Sequence, residues 1–138
     1  MGSCRSAVGN PEDQPLLRMP PLISLIDDDE SFRLATDSLL RARGYTVCAF
    51  SSAAEFLRSP QLDETSCVLT DVQMPGMSGL ELQTLLRNQG RTVPIIFVTA
   101  FPDESARARA LGDGAVCYLS KASGAAPLIT CIETALAP

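Results

Sequence analysis

Histidine does not occur in this 138-residue sequence, and positive charge is scarce because 11 basic residues face 16 acidic ones. The lack of histidine excludes a Ser-His-Asp triad, a Cys-His dyad, a histidine-ligated zinc site and a phosphohistidine carrier. The net charge of −5 provides no attraction to a nucleic acid backbone, and no apolar run is long enough to span a membrane. Chemistry must therefore use carboxylates, hydroxyls, thiols, lysine and a metal ion, and we expect no direct binding of nucleic acid or membrane.

Cysteine pairs at metal-binding or redox spacing are also missing. The cysteines are odd in number, and no Cys-x-x-Cys occurs. Three of them lie in apolar stretches with the character of strands. We therefore interpret them as buried, reduced thiols of a cytoplasmic protein, with a redox-sensing thiol as the alternative. They are Cys4, Cys48, Cys67, Cys117 and Cys131.

Hydrophobic periodicity is absent from the first 21 residues, which hold four prolines and two glycines. Segments of this kind cannot bury enough apolar surface to offset the entropy of ordering the chain. We predict a flexible leader over residues 1–21 and a single domain over residues 22–138, a length that suffices for a proper core.

The rest of the chain alternates regularly between strand-like and helix-like segments. The predicted strands cover residues 22–26, 45–50, 67–70, 94–99 and 115–119. The predicted helices cover residues 29–43, 51–58, 79–88, 103–111 and 125–136. Five β-α units in series predict a five-stranded parallel sheet with helices on both sides, which is a three-layer α/β/α fold. Right-handed crossovers then place the carboxyl end of every strand at one rim of the sheet.

Polar residues stand where these predicted strands end. Asp27 and Asp28 follow the first strand, and Asp71 follows the third. Thr99 closes the fourth strand, and Lys121 follows the fifth. Ligands bind beyond the carboxyl ends of parallel strands, and hard divalent cations prefer oxygen ligands. We therefore predict a Mg²⁺ or Mn²⁺ site here, at which a carboxylate attacks a phosphoryl group while lysine and metal neutralise the developing charge.

Four motifs at this rim resemble those of the response-regulator receiver domain of two-component systems, also called the CheY-like domain. Residues 26–30 read IDDDE, residues 69–79 read LTDVQMPGMSG, residues 98–100 read VTA and residues 118–121 read YLSK. The resemblance covers about residues 22–137, and within the family the sequences of these segments are most similar to receivers of the FixJ type. It implies a flavodoxin-like receiver fold and a signalling switch rather than an enzyme, since its only reactions would be self-catalysed phosphoryl transfer and autodephosphorylation.

The resemblance also implies roles for the acidic residues. Asp71 would accept a phosphoryl group from the phosphohistidine of a sensor histidine kinase. Asp28 and Asp71 would ligate Mg²⁺ (or Mn²⁺) with their carboxylates. The main-chain carbonyl of Gln73 would be the third protein ligand, and Asp27 would reach the metal through water.

Further roles implied by the resemblance concern the response to phosphorylation. Lys121 would pair with the phosphoryl oxygens, Thr99 would move toward the phosphorylated site, and Tyr118 would turn inward behind it. This motion would reshape the face formed by the fourth helix, fifth strand and fifth helix, through which the family suggests a homodimer. The output would be control of transcription through an attached DNA-binding domain that is missing from this chain.

One residue departs from the family pattern. Ala122 follows Lys121, where the family usually has proline, commonly across a cis peptide. A cis bond before a residue other than proline costs about 3 kcal/mol, so we expect a trans bond and a differently shaped loop. This departure leaves open a degenerate receiver that binds partners without being phosphorylated. A phosphatase of the haloacid-dehalogenase type is a further alternative, because residues 27–29 contain Asp-x-Asp after an apolar strand.

Overall fold

A central β-sheet organises the protein, whose computed structural model describes residues 3–5 and 20–138. Its strands are β1 (Ser3–Arg5), β2 (Leu22–Ile26), β3 (Thr46–Phe50), β4 (Cys67–Thr70), β5 (Ile95–Thr99) and β6 (Cys117–Ser120). They lie in the order β1-β3-β2-β4-β5-β6, and β2 to β6 are all parallel. The predicted five-stranded parallel sheet of a flavodoxin-like fold is therefore confirmed.

The helices follow the strands in strict alternation. They are α1 (Glu30–Ala42), α2 (Ala53–Leu57), α3 (Gly79–Asn88), α4 (Glu104–Gly112) and α5 (Ala125–Leu136). Leu40 of α1 and Leu128 of α5 are buried in the core on one face of the sheet. Phe56 of α2, Leu82 of α3 and Ala110 of α4 are buried in the core on the other face. The three predicted layers are present, and none of the helices in the described residues is both long and apolar enough to cross a membrane.

Strand β1 was not predicted from the sequence. It pairs antiparallel with β3 at the edge of the sheet, inside the stretch interpreted as a flexible leader. A three-residue strand is too short to show the alternation from which strands are recognised in sequence. Residues 1–2 and 6–19 lie outside the described part of the chain, so the division into a leader and a domain stays a prediction.

Local hydrogen bonds fix where the helices begin. Asp29 is the N-cap of α1, and its carboxylate accepts from the Phe32 N–H. Ser78 and Glu81 form a capping box at the start of α3. Gly79 begins α3 so close to β4 that an added Cβ would overlap the backbone carbonyl oxygen of Asp71. The residue types at these positions therefore determine how closely the helices approach the rim.

The interpretation of the cysteines as reduced thiols is wrong for three of them. Cys117 of β6 is joined by a disulfide to Cys131 of α5, and Cys48 is disulfide-bonded as well. Packing of α5 on β6 brings the Cα atoms of Cys117 and Cys131 to 6.3 Å, a separation that a disulfide can bridge. Cys67 is a free, buried thiol whose pKa is raised to about 12 by burial. The side chain of Cys4 lies outside the described part of the structure.

Candidate functional site

The register of the parallel strands brings the predicted acids together. Ile26 of β2 is paired with Thr70 of β4, so the residues that follow them, Asp27 and Asp71, leave neighbouring strands side by side. Asp28 is one residue further along the chain. Carboxylate oxygens of the three aspartates all lie within 4.8 Å of one another. The prediction that acids from these two strand ends converge is therefore confirmed.

Asp27 is the most deeply buried of these acids, with 1% of its surface exposed. Its Oδ1 accepts a hydrogen bond from the Asp29 N–H at 2.9 Å, and its Oδ2 lies 2.8 Å from Nζ of Lys121. Its backbone carbonyl accepts from the Arg33 guanidinium at 2.7 Å. Burial raises the pKa of Asp27 and the charge of Asp71 adds to the effect, although the bonds from Lys121 and Asp29 oppose it. The site therefore holds a carboxylate that needs positive charge beside it.

The two oxygens of Asp71 have different surroundings. Oδ1 accepts from the backbone N–H of Val72 at 2.6 Å and from that of Gln73 at 3.3 Å. Oδ2 lies 3.3 Å from Nζ of Lys121. The backbone therefore orients the carboxylate through one oxygen and leaves the other directed toward the ammonium group, while Asp28 stands exposed at the solvent side of the cluster.

Lys121 carries the positive charge of the cluster. Its side chain is 13% exposed, and its Nζ lies 2.8 Å from Asp27, 3.3 Å from Asp71 and 3.7 Å from Asp29. The face of the Phe32 ring lies on another side, with its centroid 4.5 Å from Nζ. Burial lowers the pKa of Lys121, but the hydrogen bond to Asp27 and the charges of Asp27 and Asp71 outweigh it and raise that pKa. The ammonium group is therefore held protonated among the acids.

Thr99 lies at the rim, and Tyr118 contacts the start of α4. Thr99 is 1% exposed at the end of β5, next to the strand that carries Asp71, and its Oγ1 accepts from the Phe101 N–H at 3.4 Å. The hydroxyl oxygen of Tyr118 on β6 accepts from the backbone N–H of Asp103 at 3.2 Å. Asp103 is the N-cap of α4, so Tyr118 ties β6 to the start of that helix.

The loop after β6 has the trans geometry that was expected, since the described residues contain no cis peptide bond. Residues Lys121–Ser123 form a single 3-10 turn capped by Ser120, whose Oγ accepts from the Ala122 N–H at 3.1 Å. Neither this contact nor the contact of Phe32 with Lys121 was predicted from the sequence. The only sequence signal for Phe32 was an aromatic residue in the first turn of the helix that follows the acids.

The donor set of the rim fits a hard divalent cation. Asp27, Asp28 and Asp71 supply carboxylate oxygens from two strands, and these oxygens are close enough to surround one small ion. Three carboxylates against one ammonium group leave a negative charge that a cation would neutralise. The sites of Mg²⁺ and Mn²⁺ in proteins are built from such oxygens. The three aspartates of the predicted site therefore lie together at the rim.

Comparison with known proteins agrees with this geometry. Residues 23–133 match the family model of the response regulator receiver domain. Nodulation protein W of Bradyrhizobium diazoefficiens is 43% identical over 100 residues, which are 72% of this chain and 44% of that protein. Response regulator protein TodT of Pseudomonas putida is 36% identical over 115 residues, which are 83% of this chain and 51% of that protein.

A solved receiver structure has the same fold as this chain. The crystal structure of FixJ-N superposes with a TM-score of 0.77 at 28% identity, covering 86% of this chain and 95% of that one. The resemblance to FixJ-type receivers is thereby confirmed. The chain spans about half the length of the curated relatives that it matches. The strand order, the acidic rim and these matches together establish that the chain belongs to the response-regulator receiver family of two-component systems.

Proposed function

We propose that this domain accepts a phosphoryl group on Asp71 from the phosphohistidine of a sensor histidine kinase. The observation that carries the proposal is the asymmetry of the Asp71 carboxylate. Its Oδ1 is occupied by two backbone N–H groups, whereas its Oδ2 faces the Lys121 ammonium group at 3.3 Å. An oriented carboxylate oxygen beside a positive charge is well placed for nucleophilic attack on phosphorus.

In the proposed transfer, Oδ2 of Asp71 forms a bond to phosphorus while the bond from phosphorus to the donor imidazole breaks. The imidazole nitrogen keeps the electron pair of that bond and takes a proton. Lys121 donates hydrogen bonds to the phosphoryl oxygens as their charge grows. Hydrolysis later returns the carboxylate, and these self-catalysed steps are the only reactions that we assign to the domain.

Mg²⁺ (or Mn²⁺) would be held by the carboxylates of Asp28 and Asp71 and by the main-chain carbonyl of Gln73, with Asp27 reaching it through water. When bound, it would neutralise charge on the phosphoryl oxygens. The support for this set is the cluster of the three aspartates and the position of Gln73, whose N–H already donates to Asp71. Asp27 also orients Lys121 through the 2.8 Å contact.

We propose that phosphorylation acts on the rest of the molecule through Thr99 and Tyr118. Thr99 would donate a hydrogen bond to the phosphoryl group, and Tyr118 would turn inward. Inward rotation would break the bond between the Tyr118 hydroxyl and the Asp103 N–H, which releases the start of α4. The face formed by α4, β6 and α5 would then shift between two packings, whose populations the phosphoryl group changes.

The output of this face is proposed from the relatives. Names such as response regulator and transcriptional regulatory protein among them support control of transcription, which we propose is exerted through an attached DNA-binding domain. The homodimer through α4, β6 and α5 is proposed from the family resemblance alone. We place the protein in the cytoplasm, where the kinase domain of a sensor would meet it. Disulfides are rare in that compartment. Trapping of thiols in intact cells would therefore test the location, because Cys117 and Cys131 should be reduced in the cytoplasm.

The proposal is tested by intact mass after incubation with acetyl phosphate and Mg²⁺. We expect the mass of one phosphoryl group, sensitive to hydroxylamine as an acyl phosphate is. The gain should be lost in Asp71→Asn, strongly reduced in Asp28→Asn, and kept in Asp63→Asn, which changes an exposed acid away from the rim. No gain in the unsubstituted protein would contradict the proposal and favour a degenerate binding module. Turnover of p-nitrophenyl phosphate that is lost in Asp27→Asn but kept in Asp71→Asn would favour a phosphatase.

A further inference from the structure

The loop that carries Lys121 contains a contact that a proline in the next position would not allow. Ala122 has a backbone N–H, which proline lacks, and this N–H donates to Ser120 Oγ at 3.1 Å. The bond caps the 3-10 turn Lys121–Ser123, whose N-cap residue is Ser120. The side chain of Ser120 therefore fixes the backbone from which the Lys121 side chain extends.

Space is available beside Lys121 into which its side chain could move. A cavity of about 180 Å³ lies between α1 and α5, with largely apolar walls. Its lining includes Phe32, Lys121, Leu119 and Leu128. A flexible four-carbon stem next to such a space does not stay in one rotamer without contacts that hold it.

The Phe32 ring supplies such a contact. Its centroid lies 4.5 Å from Nζ of Lys121, within the distance at which an ammonium group is attracted to an aromatic face. Phe32 is itself held, because its N–H donates to the N-cap carboxylate of Asp29 at 3.2 Å. The other oxygen of that carboxylate lies 3.7 Å from Nζ. Asp29 and Phe32 therefore approach the ammonium group together, from the first turn of α1.

We propose that Phe32 and Ser120 are positioning residues, which hold the Lys121 ammonium group over Asp27 and Asp71 in place of the proline that usually fixes this loop. Ser120 sets the backbone, and the ring of Phe32, which lines the same cavity, attracts the ammonium group. An aromatic face attracts the cation without demanding a fixed hydrogen-bond angle, so the ammonium group can shift from carboxylate to phosphoryl oxygens while the contact persists. The effect of these residues on phosphorylation rests on the proposed function. Their effect on the position of Lys121 does not.

The geometry is tested by NMR, because Lys121 is the only lysine in the sequence. Protein labelled with ¹³C-lysine gives one lysine side-chain spin system. We expect the ε-methylene protons to be shifted upfield by the ring current of Phe32, and Phe32→Leu to remove this shift. Phe32→Tyr should keep it, and Leu34→Ala should leave it unchanged, since Leu34 lies on the same helix with 59% of its surface exposed.

The catalytic part is tested by the rate of phosphorylation from acetyl phosphate in the full chain. Phe32→Leu should lower the rate roughly threefold to tenfold, as expected for the loss of one cation–π contact, and Phe32→Tyr should restore it. Ser120→Ala should also lower the rate, whereas Ser120→Thr, which keeps the hydroxyl, should not. Circular dichroism of each variant verifies that the fold is retained.

Different results overturn different claims. An unchanged ε-methylene shift in Phe32→Leu, or a rate in that variant equal to the rate of the unsubstituted protein, would overturn the positioning role. Absence of phosphorylation in the unsubstituted protein would overturn the proposed function and with it the catalytic part of the assignment. Loss of the ring-current shift in Phe32→Leu would even then support the geometric part.

Discussion

Replacing Lys121 by methionine removes the ammonium group from the acidic rim while keeping a side chain of similar length. The group lies 2.8 Å from Asp27 and 3.3 Å from Asp71, whose side chains are 1% and 8% exposed. Breaking a buried ion pair by removing one partner costs about 3 to 5 kcal/mol, because the other charge is left buried without compensation. Lys121 keeps 13% exposure, so we expect a loss near the lower limit, about 3 kcal/mol of unfolding free energy at neutral pH.

The pH dependence of this loss has a definite sign. The folded-state pKa of Lys121 is raised above 10.5, so its stabilising contribution is fully present at neutral pH and is lost only at strongly alkaline pH. The pKa of Asp27 is raised above 3.8, and removing the ammonium group raises it further. The loss in Lys121→Met should therefore shrink as the pH falls toward the range in which Asp27 takes up a proton.

Urea unfolding in the presence of a chelator measures this effect, and added Mg²⁺ should recover part of the lost stability. The double variant that carries Lys121→Met and Asp27→Asn should lose clearly less unfolding free energy than Lys121→Met alone. Arg91→Met is the control, because its partner Asp63 is 81% exposed and such surface pairs contribute at most about 1 kcal/mol. The reasoning fails if Lys121→Met is as stable as the unsubstituted protein, or if Asp27→Asn does not reduce its loss.

Three further predictions concern glycine and cysteine positions. Gly79→Ala should lower the unfolding free energy by about 1–3 kcal/mol in urea, because the new methyl group meets the Asp71 carbonyl oxygen. The folded-state pKa of Cys67 is raised by burial to about 12 against an ordinary 9.0, so the unfolding free energy should fall between pH 8 and pH 10 by about 1 kcal/mol more than in Cys67→Ala. Cys131→Ala should lower the unfolding free energy by about 3 kcal/mol without reductant, since it opens the loop closed by Cys117 and Cys131, which are 14 positions apart. The difference should shrink when the variant and the unsubstituted protein are both measured in dithiothreitol.

The rim was predictable because parallel strands share the direction in which they end. Once residues 22–26 and 67–70 are recognised as strands, Asp27 and Asp71 must leave the same edge of the sheet, and the register confirms this. Lys121 follows by the same rule from the last strand, and its contacts with both acids confirm it. The five parallel strands, with bounds within two residues of those observed, the layers and the acidic cluster could therefore be derived from short-range patterns alone.

The features that escaped prediction depend on the packing of elements far apart in sequence. The contact of Phe32 with Lys121 joins α1 to the loop after β6, and the bond of Cys117 to Cys131 joins β6 to α5. Hydrophobic periodicity shows that a helix packs on a sheet but does not give its axial position, which decides such contacts. The pairing of β1 with β3 likewise joins distant segments and leaves no periodic signal.

Because Tyr118 is hydrogen-bonded to the start of α4, its intrinsic fluorescence can report on that helix. The chain has no tryptophan and two tyrosines, so its near-ultraviolet emission comes mainly from tyrosine. Tyr45 precedes β3 at the amino edge of the sheet, away from the rim, whereas the Tyr118 hydroxyl accepts a backbone hydrogen bond beside α4. Rearrangement of that helix can therefore be followed by native fluorescence in real time, without an attached dye.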